Sequence, residues 1–172
     1  MMVMPRPLRW FVALVLAAGL LVGGVLLLPF ADWLPGGTVA DVPLQQVVNG
    51  TSFNRLFPPS DPEFRVTMSQ EKRGFSEARL KKGDQVIALL AISDTITAPE
   101  ARAKFEQAQE RLEGWPLVEQ GPHASALLVA DRFQVKVIEQ GSALDADHRH
   151  SVLEHFNLQG LAALGTPSLP RA

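Results

Sequence analysis

The run Trp10–Phe30, WFVALVLAAGLLVGGVLLLPF, holds twenty-one residues without a charge or a side-chain amide, and no other stretch constrains the chain as much. At about 1.5 Å of helical rise per residue it covers the roughly 30 Å hydrocarbon layer of a bilayer, where a helix closes its backbone hydrogen bonds internally. The run therefore reads as a transmembrane helix over 10–30 behind a short N-terminus, residues 1–9. Arg6 and Arg9 precede it, whereas the next charges after it are Asp32 and Asp41 and the first basic residue is Arg55. By the positive-inside tendency the N-terminus stays in the cytoplasm and the rest of the chain lies in a periplasm or thylakoid lumen. Thr38-Val39-Ala40 supplies the rival reading, a cleaved signal peptide, although the apolar run exceeds the ~7–15 residues of a signal core. Gly19 and Gly23 have the spacing that lets two helix backbones approach, so a homodimer through the span stands beside an isolated anchor.

Pro35, Gly36, Gly37 and Pro43 give residues 31–43 the composition of a linker, and residues 165–172, with Pro167 and Pro170 and no periodicity, read as a disordered tail. Between them, residues 44–164 are long enough to bury a core unaided. A net charge of -2 gives no general attraction to nucleic acid, and the absence of cysteine excludes disulfides, thiolate metal sites and thiol catalysis.

Periodicity predicts an α+β domain. Leu44–Phe57 has helical spacing broken at Asn49-Gly50 and stopped by Pro58-Pro59. Phe64–Ser69, Phe75–Lys82 and Gln85–Ser93 alternate as strands, the last apolar on both faces and hence central. Thr97, Pro99 and Glu100 form a helix start, Ala101, Phe105, Ala108 and Leu112 a stripe, and Gly114 a stop, so a helix is expected over 97–114. Further strands follow at Trp115–Val118, Ala124–Ala130 and Phe133–Glu139, then an Asp145-capped helix bearing Val152, Leu153 and Phe156 that closes on Asn157–Leu164. The expectation is an antiparallel sheet of five to six strands with two or three packed helices. Sliding the chain by 47 or 48 residues lays Val86 on Phe133, Ala88 on Val135, Leu90 on Val137 and Phe105 on Leu153, a faint repeat of two strand-strand-helix halves.

Motifs of nucleotide binding, of the GxSxG elbow and of HExxH metal sites do not occur. No cofactor is expected. The polar concentration Asp145–His150, with Glu154 and His155, sets Asp147, His150 and Glu154 near one helix face; a solvated face with His150 paired to Glu154 outweighs a metal site there. A pH-sensing role for these histidines is a further reading. Glu71-Lys72-Arg73 and Arg79–Lys82 form a basic concentration around a hairpin. With few aromatic residues beside it, it suits an acidic partner or lipid headgroups rather than nucleic acid.

The run FNRLFPPSDPEFRVTMSQEKRGFSEARLKKGDQVIALLAISDT, with FNLQGL near the end, resembles a group of cyanobacterial single-span membrane-anchored proteins without an assigned activity. The resemblance covers Phe53 to about Leu164. It implies a plasma or thylakoid membrane and a partner among the photosynthetic complexes, and it brings no catalytic residues.

The leading expectation is a non-enzymatic accessory, assembly or scaffold protein that contacts the bilayer and a membrane-associated protein partner. Phe53, Leu56 and Phe57, with Lys72 and Arg73, are its candidate interaction surface. A carrier or sensor of an apolar ligand, and a metal-dependent hydrolase built on His148, His150 and His155, are the alternatives from other classes.

Overall fold

The alternating segments pair in sequence order into two meanders, which meet at the centre of one seven-stranded antiparallel sheet of order β1-β2-β3-β7-β6-β5-β4. In the computed structural model residues 43–141 and 143–165 are described, and the expected span, linker and tail lie outside them apart from Pro43 and Gly165. The strands are β1 (Phe64–Lys72), β2 (Phe75–Lys82), β3 (Gln85–Asp94), β4 (Glu110–Leu112), β5 (Trp115–Glu119), β6 (Ala124–Val129) and β7 (Phe133–Glu139). The α-helices are α1 (Pro99–Ala103), α2 (Ala146–Glu154) and α3 (Leu158–Gly165). Among the described residues no helix is long and apolar enough to cross a membrane.

One face of the sheet carries the main core. Ala78 and Leu80 of β2, Ala88, Leu90 and Ile92 of β3, Phe133, Val135 and Val137 of β7, and Leu127 and Val129 of β6 are buried there beneath α2, α3 and the 3-10 segment Gly50–Leu56. Phe53 meets Phe133 edge-on with ring centroids 5.8 Å apart, a favoured aromatic geometry. On the opposite face a smaller cluster joins Phe105 to Ala126 and Leu128. The central position expected for Gln85–Ser93 is the one β3 occupies, between β2 and β7.

Two expected helices take other forms. Leu44–Phe57 becomes two 3-10 segments, Leu44–Gln46 and Gly50–Leu56, the second capped by the Asn49 side chain, which accepts from Thr51 N. Gly50 opens the second segment at a place where a Cβ would collide with the backbone carbonyl oxygens of Lys72 and Phe75. The expected 97–114 helix stops at Ala103. Asp94 caps a preceding 3-10 turn, Thr97 donates to the Asp94 carbonyl instead of capping, and Ala98 precedes α1 without a side-chain cap. Glu113 and Gly114, at φ 52° and 83°, then turn a hairpin that pairs Leu112 with Trp115. Gly114 is thus a hairpin residue rather than a helix stop, and β4 raises the expected five to six strands to seven.

The two central hairpins correspond in register. A shift of 47 residues carries the Ala78–Leu90 pair of β2 and β3 onto the Ser125–Val137 pair of β6 and β7. The helical parts do not correspond: Leu153 lies on the main core face, whereas Phe105 packs on the opposite one.

Candidate functional site

Two polar constellations lie on the core face, one at each end of the central strands. The first is built where β3 ends and β7 begins. Asp94, its side chain fully buried, receives Arg132 Nε at 2.9 Å and Nη2 at 2.7 Å, a bidentate pair that holds the guanidinium even more firmly protonated than usual. The free capacity of this pair goes to the chain just after the linker. Arg132 Nη2 also donates to Gln46 O at 2.7 Å, Arg73 Nη1 to Val47 O at 3.3 Å and Gly74 N to Val48 O at 2.7 Å, while Val48 N donates to Asp94 Oδ2 at 3.1 Å. The segment 46–48 is therefore gripped from four positions, on β3, the β6–β7 turn and the β1–β2 turn.

The second lies beneath α2, against the ends of β5, β6 and β7. Arg149 is 3% exposed and sits four residues before Leu153, on the helix face that enters the core. Its Nε donates to Ser125 Oγ at 2.8 Å, its Nη2 to Glu119 Oε2 at 2.8 Å and its Nη1 to Leu144 O at 3.3 Å, with Glu139 Oε2 3.9 Å from Nη1. Ser125 Oγ donates in turn to the Glu119 carboxylate at 2.9 Å. A histidine closes each end: His150 Nε2 lies 2.7 Å from Glu119 Oε1, and His123 Nδ1 lies 2.8 Å from Glu139 Oε2. Burial alone would raise the Glu119 carboxyl, but hydrogen bonds from His150, Arg149 and Ser125 outweigh it and bring the group below the usual range. Glu139 is lowered chiefly by His123.

This second constellation is a closed ionic latch. Ser125 is fully buried, its hydroxyl donating to the Glu119 carboxylate and accepting from Arg149 Nε. His150, expected beside Glu154, reaches across to the exposed carboxylate of Glu119 on β5. His148 instead pairs with Asp145 of its own helix turn, and His155 Nδ1 turns back to Ser151 O. The histidines are thus splayed, and among the described residues no group of three or more His, Asp or Glu is placed to hold a metal ion.

The residues expected at an interaction surface separate into two sets. Phe53, Leu56 and Phe57 are 0%, 3% and 7% exposed and belong to the main core, where the 3-10 segment presses them onto the sheet. Lys72 is exposed with its Nζ 5.2 Å from the Phe75 ring centre, and Arg73 holds Val47. Glu119, Ser125, Glu139, Asp94 and Arg132 carry no local signal in the sequence, and Arg149 lies inside the polar run Asp145–His150. Only Arg149 carried a signal, a cation at the spacing that the helical period assigns to the core.

Fold and site together define an α+β sheet domain with a gripped N-terminal lead and an ionic latch under one helix. No family model, curated protein or solved structure matches the chain.

Proposed function

We propose that this chain is a single-span membrane protein whose α+β domain acts as a non-enzymatic accessory or scaffold factor, binding another protein beside the bilayer. In this reading residues 10–30 form the transmembrane helix, the N-terminus is cytoplasmic, and the domain lies in the periplasm or thylakoid lumen. The observation that carries it is the pairing of an uncharged twenty-one-residue run with the grip on segment 46–48, close behind the linker. A domain that hangs from an anchor needs its lead strapped to rigid strands, since otherwise pulling on the tether would peel the first segment away. The resemblance to cyanobacterial anchored proteins supports the same reading and suggests photosynthetic complexes as the partner class. The register correspondence of the two hairpins supports, as part of this proposal, an origin in two copies of one unit.

Carbonate washing of membranes that contain the full chain tests the anchor, and cross-linking in intact membranes followed by mild solubilisation tests the partner. Retention in the pellet with a discrete cross-linked heteromer is expected. Release by carbonate, or a solitary monomer at native expression, overturns the proposal.

A further inference from the structure

The face of the sheet opposite the main core carries three cations, Arg65, Arg79 and Lys81, that form no ion pair among the described residues; the carboxylate on the same face of β2, Glu77, is buried and accepts from Ser69 Oγ at 2.6 Å. On β1 and β2 Arg65 lies directly opposite Lys81, and Thr67 opposite Arg79, so all three basic side chains share this face. Like charges directly opposite on neighbouring strands destabilise a sheet. Among the described residues no ion pair or hydrogen bond relieves them, whereas Lys82 on the other face is paired with Glu63 at 2.6 Å. Beside them runs an apolar strip: Arg79 is opposite Leu89, and Leu89 is opposite Ile138, both half-buried. The helices α2 and α3 and the 3-10 segment Gly50–Leu56 pack on the other face, and the Phe105 cluster covers β6 rather than β1 or β2.

We infer that Arg65, Arg79 and Lys81, with Leu89 and Ile138, form the docking surface for an acidic, partly apolar segment of a protein partner. This rests on the accessory-protein reading above and supplies the surface that the buried Phe53, Leu56 and Phe57 do not. Arginine beside apolar area is the composition of an interface core, and a local cluster of three positive charges on a chain of net charge -2 selects acidic partners without general polyanion binding. A protein is favoured over lipid headgroups by the mixed lining, since Leu89 and Ile138 beside the cations offer apolar area that an acidic segment with apolar side chains covers and a headgroup does not.

The test uses the full chain in an uncharged detergent and a fluorescein-labelled peptide of alternating glutamate and leucine as the probe. Binding followed by anisotropy at low salt is expected to weaken at least tenfold in the R65S/R79S/K81S variant, to weaken as salt is raised, and to be unchanged in K82S. Thermal unfolding of each variant verifies that the surface changes leave the fold intact. No binding by the parent chain, equal binding by the triple variant, or tighter association of the patch with phosphatidylglycerol nanodiscs than with the peptide would each overturn the inference. Release of the parent chain by carbonate with peptide binding retained would instead fell the tether reading and leave this surface standing.

Discussion

Leu90 and Val137 face each other as partners across the two central strands, and the 47-residue shift that relates the two hairpins carries one onto the other. The pair marks the approximate two-fold centre of the sheet. Ala88 opposite Glu139 and Ile92 opposite Val135 follow on either side, so the central ladder is nearly the same when read from either strand. The correspondence reaches the turns: Gly83, at φ 60°, matches Ala130, at φ 51°.

Ala130 is the costly member of that pair. Ala130 and Asp131 both lie in the left-handed region, at φ 51° and 54°, in a turn closed by Arg132 N donating to Val129 O at 3.1 Å. A Cβ in that region costs about 1–2 kcal/mol, of which a glycine returns part to the entropy of the unfolded chain. A130G is expected to stabilise the domain by about 0.5–1 kcal/mol, read as a raised urea midpoint with an unchanged slope. A lowered midpoint would mean that the Ala130 methyl contributes more to the core than its backbone costs.

Gly50 stands at the opposite extreme, since the atoms that a methyl group would strike there are backbone carbonyls fixed in the β1–β2 hairpin. Neither can rotate away. G50A is expected to destabilise by about 1–3 kcal/mol or more, as overpacking does, and to lower the thermal midpoint by several degrees. An unshifted midpoint would show that the segment Gly50–Leu56 rides loosely enough on the hairpin to make room for a methyl group.

The strands were legible because alternation is a local signal that registry only confirms: Val86, Ala88, Leu90 and Ile92 already spelled out one face. The failures came where a local signal had two readings. Gly114 stops a helix or turns a hairpin, and the choice was made by Trp115 finding Leu112 across the turn. Thr97 looked like a cap, but the nearby Asp94 took that role one turn earlier. The two polar constellations were almost illegible, because Arg132 meets Asp94 and Arg149 meets Glu119 across separations of 38 and 30 residues that only the fold closes.

Acid should loosen the latch in a definite window. Glu119 and Glu139 have folded-state pKa values below their ordinary value of 4.5, so the unfolded chain binds protons first. Their contribution to stability is fully present above that unfolded value and is lost as pH falls through the lower folded one. The urea midpoint is expected to hold between pH 7 and 5 and to drop below about pH 4.5, the unfolded-state value. The E119Q/E139Q variant should start lower at pH 7 and lose less on acidification. Equal acid slopes in the two proteins would remove these carboxylates from the linkage.

Removal of Arg149 tests whether the latch is a unit. The guanidinium is buried and holds Ser125, Glu119 and the Leu144 carbonyl at once, so R149M leaves carboxylates that were positioned for a cation facing a methylene chain. Breaking a fully buried pair costs about 3–5 kcal/mol, most of it from the charge left behind; the Glu119 side chain is 37% exposed, so the loss here is expected below that range. Neutralising those charges should therefore recover part of the loss: R149M/E119Q/E139Q is expected to be more stable than R149M alone, although E119Q and E139Q each destabilise the parent chain. That reversal of sign distinguishes a coupled network from independent contacts, and simple addition of the three effects would show that the groups stand side by side without sharing their charge.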